Sequence, residues 1–494
     1  MQDDVEPKPS SGRLFLSVFP SIMLPMFLAV VDQTIVATAL PAIARSLGGV
    51  DRVSWVVVSY LVATTVAAPL YGQLRDIYGG RRMMLIALGV FLAASLFCTI
   101  ATSMEMLIAA RILQGLGGGG LMTLTQSLIG ETIPPRDRAR YQGYLAGVLV
   151  TSSVFGPVAG GYMTHHFGWR SIFLINLPLG LLAVLLTLRL APRPQRVQAW
   201  TFDGPGLVLF VAFIVPALLA LHQAQSVSAD RLPALLGLAA LGFTALLLLV
   251  RRERRAPFPL FPLALLRQPT IWRSDGLAAC HGAALVSLVT FLPLYLHVAQ
   301  ATSAAESGLL LLPLMFGIGA GSMTTGRIVS RTGYTTIFPS IGLMLATVAL
   351  LSLGLLISRL TRTELAVLLF CNGLCMGTVM GVVQVTVQSA AGAASLGAAA
   401  ASVQLSRAIG AAFGTALVGT VLFAVLASTN AETARLFAAV IQQGPDVLAA
   451  LPAAGQGQVH AEIIGAFRAA FLVIAAFTAT GAVLAWSIPA RRLS

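Results

Sequence analysis

Long apolar runs, broken by short polar stretches, follow one another along almost the whole chain. Fourteen can be marked off, at 15–40, 53–71, 83–101, 106–129, 141–163, 171–189, 204–222, 233–250, 272–297, 307–327, 337–357, 363–387, 399–427 and 464–488. At about 1.5 Å of helical rise per residue, a run of this length crosses a hydrocarbon core of about 30 Å. Only helices and closed barrels satisfy their backbone in lipid. The pattern therefore predicts an all-α integral membrane protein of fourteen transmembrane helices.

Composition agrees with the pattern. Hydrophobic residues make up 57% of the 494 positions and charged residues only 10%, with a mean hydropathy of +0.87. A soluble domain carries about 25% charged residues, so this chain cannot cover itself with a solvated surface. The first residues, MQDDVEPKPSSGR, are acidic and proline-rich without a cleavage site, and are expected to stay as a cytoplasmic tail, 1–14. With that end inside, the inner segments hold about 21 Lys and Arg and the outer ones about 8, including RRERR at 251–255 on the inner side. That is the positive-inside asymmetry. It accounts for the net charge of +13 through orientation and anionic lipid headgroups, and leaves no need for nucleic acid as a partner. Cys98, Cys280, Cys371 and Cys375 all fall within spans, and no histidine or further cysteine completes a metal set around Cys371 and Cys375. They read as packing residues, and no metal site is expected.

One polar break concentrates chemistry. GQLRDIYGGRR, 72–82, holds four charges and three glycines between the second and third spans. Gly72, Gly79 and Gly80 allow a tight turn and close helix approach, and Arg81 and Arg82 anchor the next span at the inner headgroups. Asp76 adds nothing to an orientation signal. A charged latch, formed in one conformation and broken in another, explains it, with Arg138 or Arg140 of the next inner loop as candidate partners. The stretch has an echo: Gly72-Gln-Leu-Arg-Asp-Ile-Tyr-Gly79 and Gly326-Arg-Ile-Val-Ser-Arg-Thr-Gly333 share their glycine spacing, and each follows the second span of a six-span block. The chain is thereby expected to divide into the tail, a first bundle at 15–190, a linker with an inserted transmembrane hairpin at 191–271, a second bundle at 272–488 and a tail at 489–494.

Taken together, these motifs resemble the major facilitator superfamily. GQLRDIYGGRR is similar to its signature loop G-x-L-x-D-x-x-G-[RK]-[RK], with one extra glycine. VDQTIVATALP at 31–41, RILQGLGGGG at 111–120, GPVAGG at 156–161, WRSIFLINLPLG at 169–180 and QLSRAIGAAFGTA at 404–416 resemble the fourteen-helix drug:proton antiporter branch. Ala37 and Ser152 stand where that branch usually has asparagine and glycine. The resemblance implies the major facilitator fold, two six-helix bundles plus an inserted two-helix hairpin. Gly115, Gly117 and Gly120 also satisfy G-x-G-x-x-G, but the dinucleotide fingerprint needs a preceding strand in a βαβ unit. Within a span, these glycines serve helix packing. Gly156, Pro157, Gly160 and Gly161 read the same way, as packing and a hinge.

Charges inside spans cost about 2.5–3.5 kcal/mol each at a helix centre, so they carry the most information. Asp32 lies about 12 Å from the outer end of its span and Arg111 about 8 Å from the outer end of another. In the resembled fold both helices line the central cavity, where the two side chains meet directly or through water. Arginine keeps its proton, whereas a desolvated carboxyl can exchange one. Asp32 is thus the expected proton carrier and Arg111 its fixed partner. Arg407 is read equally as an inner-gate contact or a snorkelling residue, and His281 as a buried histidine able to titrate or to pack. Gln114, Asn372, Gln384 and Gln388 are candidate cavity groups, together with His281 and Arg407. Glu306 and Glu364 fall at span ends, and Asp275 lies close to an inner end.

The expected function is proton-coupled secondary export of lipophilic compounds, driven by the proton gradient without a cofactor, from a bacterial cytoplasmic (inner) membrane with both termini inside. Its partners are protons, membrane lipids and small lipophilic substrates, monovalent cationic or neutral ones preferred. A periplasmic adaptor and an outer-membrane channel are further partners the resemblance allows. A dedicated exporter of a metabolite, siderophore or lipid, or an uptake symporter, is the alternative within transport. A non-transporting membrane sensor or scaffold is the alternative outside it. No nucleophile–base set appears that would make the chain an enzyme.

Overall fold

A computed structural model of the chain describes residues 11–48, 52–190, 202–223, 232–257, 259–260, 263–300, 302, 304–443, 453–490 and 492. Fourteen of its helices are long and apolar enough to cross a membrane. They are α1 (Ser11–Leu47), α2 (Trp55–Tyr78), α3 (Gly80–Thr99), α4 (Met104–Thr132), α5 (Pro135–Phe167), α6 (Ser171–Leu188), α7 (Gly204–Gln223), α8 (Leu232–Glu253), α9 (Pro269–Gln300), α10 (Ala304–Thr332), α11 (Ile337–Leu356), α12 (Arg362–Ala391), α13 (Leu396–Thr429) and α14 (Ala453–Ser487). Among the described residues there is no strand beyond one isolated bridge, Tyr334 to Arg492. The fold is the all-α membrane architecture the apolar runs predict. The expected tail 1–14, residues 191–201 of the expected linker and positions 491, 493 and 494 of the expected C-terminal tail lie wholly or partly outside the described residues.

Two helices are interrupted: α6 at Ile175, and α12 between Gly377 and Met380. The chain forms two compact units. The first comprises Met1–Pro134, Thr151–Phe202 and Ala393–Ala401, the second Pro135–Val150, Asp203–Gly392 and Ser402–Ser494. In the first unit α4 packs extensively against both α2 and α3. Its glycine run makes that possible. A Cβ added at Gly117 would lie 2.7 Å from the Phe91 nitrogen, and one at Gly115 would lie 2.8 Å from the Ala63 Cβ. In the second unit α10 packs on α12, and α14 on α9 and α11, while α7 and α8 form a tight antiparallel pair.

The stretch 72–82 is not a loop. Residues 72–78 are the last turns of α2 and residues 80–82 the first turn of α3, so the reversal falls on Gly79 alone. Gly79 has φ +91°, and its amide donates to the Arg75 carbonyl at 2.8 Å. The echo in the second unit behaves alike: Gly333 has φ +76°, and its amide donates to Val329 at 2.8 Å. A side chain at either position would meet backbone strain. Gly72 has a different task. A Cβ there would lie 2.8 Å from the carbonyl oxygen of Gly397 and 2.8 Å from the Ala401 Cβ, so it permits close approach of the first turns of α13.

Candidate functional site

The first unit encloses a buried polar network. Asp32 of α1 and Arg111 of α4 are both almost wholly buried, and Nη1 of Arg111 donates to Oδ2 of Asp32 at 2.6 Å. The other carboxylate oxygen, Oδ1, accepts from Nε2 of Gln114 and from Nδ2 of Asn176, each at 2.8 Å. Gln114 returns its own oxygen to Arg111 at 2.6 Å and accepts the Cys98 thiol at 3.4 Å. Ser95 accepts from both amides, at 2.8 Å from Gln114 and 3.3 Å from Asn176, and donates to the Phe91 carbonyl. Nε of Arg111 donates to the Val56 carbonyl at 3.1 Å, and the guanidinium lies 4.1 Å from the centre of the Tyr60 ring. None of the buried side-chain oxygens or nitrogens of these residues is without a partner.

An apolar shell seals this network, with Val31, Ile35, Cys98, Leu107, Ala110 and Phe173 all buried in one cluster. In such a low-dielectric setting charge-assisted hydrogen bonds gain strength and an unmatched group costs more. The arrangement has one chemical consequence. Protonation of Asp32 would remove the negative charge that faces the guanidinium of α4 and the amide donors of α4 and α6. Gln114, expected as a cavity group, is spent here. Gly156 and Gly160 let α5 approach α1 beside the network. A Cβ at Gly156 would meet Thr34, and one at Gly160 would lie 2.7 Å from the Ile35 carbonyl. Gly161 faces open space, and Pro157 is exposed within α5.

Asp76 has partners other than Arg138 or Arg140. Its Oδ1 accepts the Gly397 amide at 2.9 Å and its Oδ2 the Ala398 amide at 3.0 Å. These are the first amides of α13, where a helix leaves its N–H groups unpaired and carries partial positive charge. Nη1 of Arg75 donates to Asp76 at 2.7 Å, and Nη2 of Arg75 pairs with Glu131 at 2.7 Å. Arg81 donates to the Leu188 carbonyl at 2.7 Å, and Arg82 lies 5.8 Å from the centre of the Tyr78 ring.

The second unit holds the other expected residues, in a different condition. His281, on α9, is buried, with Nε2 3.1 Å from the Met376 carbonyl. A carbonyl only accepts, so Nε2 carries the proton and donates, while Nδ1 has no partner. Asn372, one turn from Met376, is buried with neither amide atom hydrogen-bonded, and Nε2 of Gln384 is likewise unmatched. Gln388 is fully buried. Arg407 lies in the third turn of α13, partly exposed, its Nε buried and unmatched. Asp275 is buried on α9; its Oδ1 accepts the Ser402 hydroxyl at 3.3 Å and its Oδ2 has no partner. Glu306 is half exposed, 3.8 Å from Arg362, and Glu364 closes a capping box with Thr361 at the start of α12.

Residues that the sequence reading did not single out complete these sites: Asn176, Ser95 and Tyr60 around Asp32, and Arg75 and Glu131 beside Asp76. Asn176 and Arg75 both stand inside motifs already quoted, which was the available signal.

Comparison with known proteins bears on the family and the fold. An uncharacterized MFS-type transporter of Mycobacterium tuberculosis is 33% identical over 68% of this chain and 49% of its own length. The multidrug transporter protein MdtP of Bacillus subtilis is 31% identical over 67% of this chain and 61% of its own. Multidrug resistance protein 3 of the same organism is 31% identical over 71% and 69%. The aligned part thus spans about half the length of the mycobacterial relative and about six-tenths of MdtP. Among solved structures, the human organic anion transporter MFSD10 superposes with a TM-score of 0.65 at 14% identity, over 97% of this chain and all of that one. The proton:xylose symporter XylE superposes at 0.64 and 12% identity, over 98% of each chain. The family profile described as Major Facilitator Superfamily matches residues 22–415, and the chain belongs to that superfamily.

Proposed function

We propose that the protein is a proton-coupled secondary exporter of lipophilic small molecules, working as an antiporter in a bacterial cytoplasmic membrane with both termini inside. The observation that carries this reading is the sealed Asp32–Arg111 pair with its amide donors. An acid buried this completely in a membrane helix is costly unless it has a use. Its network opens on protonation, which ties proton uptake to helix movement. Relatives named as multidrug and efflux transporters support export over uptake. The blocks 15–190 and 272–488 act as the two moving bundles, with the α7–α8 hairpin as an insertion. Asp76 is the latch, holding the first amides of α13 in one state and releasing them in the other, and Gly156 to Gly161 form the hinge beside Asp32. No carboxylate lies in the interior of α10 or α12, while Asp275, buried on α9, keeps one oxygen without a partner. Compounds with at most one positive charge are therefore carried better than dications only where the cargo stays out of reach of Asp275.

The test is transport in proteoliposomes with an imposed pH gradient. Wild-type protein is expected to accumulate a lipophilic substrate against its gradient only when protons flow the other way. Asp32→Asn, folded by size-exclusion profile, should abolish gradient-driven accumulation. Full accumulation by that variant would remove Asp32 from the coupling step.

A further inference from the structure

The polar groups of the second unit have donors without acceptors. Arg407 carries a fixed positive charge, since guanidinium does not deprotonate in proteins. Among the described residues it forms no ion pair, and its Nε is buried without a partner. A Cβ at Gly282, the residue after His281 on α9, would lie 3.1 Å from the Arg407 Cγ, so the first carbons of the Arg407 side chain lie against α9 one residue from His281. Elsewhere in the same unit Asn372, one turn from Met376 on α12, has two unmatched amide atoms, and Gln384 an unmatched N–H donor. The acid on α9 does not offset the charge. Asp275 is level with Ser402, whose hydroxyl it accepts at 3.3 Å, and Ser402 precedes Arg407 by five residues, roughly 7.5 Å of helix.

We infer that Arg407 anchors a negatively charged group of the cargo, and that the substrate class is lipophilic compounds bearing a single carboxylate. This rests on the reading of the protein as a small-molecule exporter, and it replaces the expected preference for monovalent cationic or neutral cargo with a preference for monoanions. A carboxylate would meet the guanidinium with parallel N–H···O bonds, the geometry for which arginine is suited. It would supply the acceptor that Nε lacks. Arg407 as a residue is partly exposed, although its Nε is buried. A lipid phosphate offers the same anionic chemistry, and the experiment below separates the two sources.

The experiment measures equilibrium binding to the purified full-length chain in phosphatidylcholine nanodiscs, with no pH gradient. The probes are 1-pyrenebutyric acid, its methyl ester and 1-pyrenebutylamine. The acid is expected to bind at least tenfold more tightly than the ester or the amine. Arg407→Gln should abolish that preference while leaving ester binding unchanged, and Arg407→Lys should retain part of it. Equal or tighter binding of the amine or the ester overturns the proposal. So does a parallel loss of acid and ester binding in Arg407→Gln, since that is the signature of a structural arginine. A second preparation containing phosphatidylglycerol distinguishes the remaining source: displacement of the acid by that lipid overturns cargo recognition in favour of a headgroup site. Because no gradient is used, this result stands apart from proton coupling. Gradient-driven transport can fail while acid binding persists, and the reverse.

Discussion

Two buried polar clusters in this protein contain similar groups and treat them oppositely. Around Asp32 the donors and acceptors of two amides, a hydroxyl, a guanidinium and a carboxylate are matched within 2.6–3.3 Å. In the second unit the imidazole of His281, the amides of Asn372 and Gln384 and the guanidinium of Arg407 keep atoms that bond to nothing. Both clusters lie in apolar helices, where an unmatched polar atom costs about 1–3 kcal/mol and a charge more. A satisfied network gains nothing from a visitor, and an unsatisfied one does. The first is therefore suited to hold and release an internal charge, and the second to receive an external one. Burial alone, which the two share, does not separate these tasks; the count of unmatched atoms does.

The comparison breaks most readily at the two arginines. Arg111→Leu would leave the Asp32 carboxylate sealed in the first unit without a counter-charge. Removing one member of a buried pair costs about 3–5 kcal/mol, and the variant should show that loss in detergent unfolding. Arg407→Gln removes a charge that has no counter-charge to lose, so stability should stay level or rise by about 1 kcal/mol. Destabilisation of both variants by the same amount would mean that Arg407 has a partner after all, and the contrast between the clusters would collapse.

Asn176 sharpens the contrast at a smaller scale. It is the one donor to Asp32 supplied by α6, next to the break at Ile175. Asn176→Leu should cost about 1–3 kcal/mol by leaving Oδ1 with Gln114 alone. The same change at Asn372, whose amide bonds to nothing, should cost less than a quarter as much or stabilise. Paired unfolding curves for the two variants check this directly.

How legible these sites were in the sequence depends on the kind of signal each residue carries. The fourteen spans stood out because a run of about 20 apolar residues has few other readings. Asp32 and Arg111 stood out because charge is rare within such runs, and their depths from one face suggested a meeting. Asn176, Ser95 and Tyr60 gave no such signal: neutral polar side chains are common in membrane helices, and which face they occupy depends on packing. Asp76 was recognised as a charge needing a partner, but its partners are backbone amides of α13, more than 300 residues away and without a mark in the sequence. The glycines of 72–82 also hid their division of labour. A positive φ at Gly79 and close approach at Gly72 both require glycine, and spacing cannot tell them apart.

The smallest expected effect tests how the guanidinium of Arg111 is held. Tyr60 contributes twice: its ring lies 4.1 Å from the guanidinium, and its hydroxyl donates to the Ala29 carbonyl at 3.1 Å. Ala29 is inside α1, where its carbonyl also serves the helix, so losing the hydroxyl removes a supplementary bond and leaves no acceptor stranded. Tyr60→Phe should therefore cost only about 0.5–1.5 kcal/mol and keep the ring in place. Tyr60→Leu removes the aromatic face as well, adding up to about 2 kcal/mol for a desolvated cation–π contact. The gap between the two variants in an unfolding titration measures what the ring contributes to the matched cluster. Identical curves would show that the ion pair and amide donors hold Arg111 without it, and that the phenol serves only to tie α2 to α1.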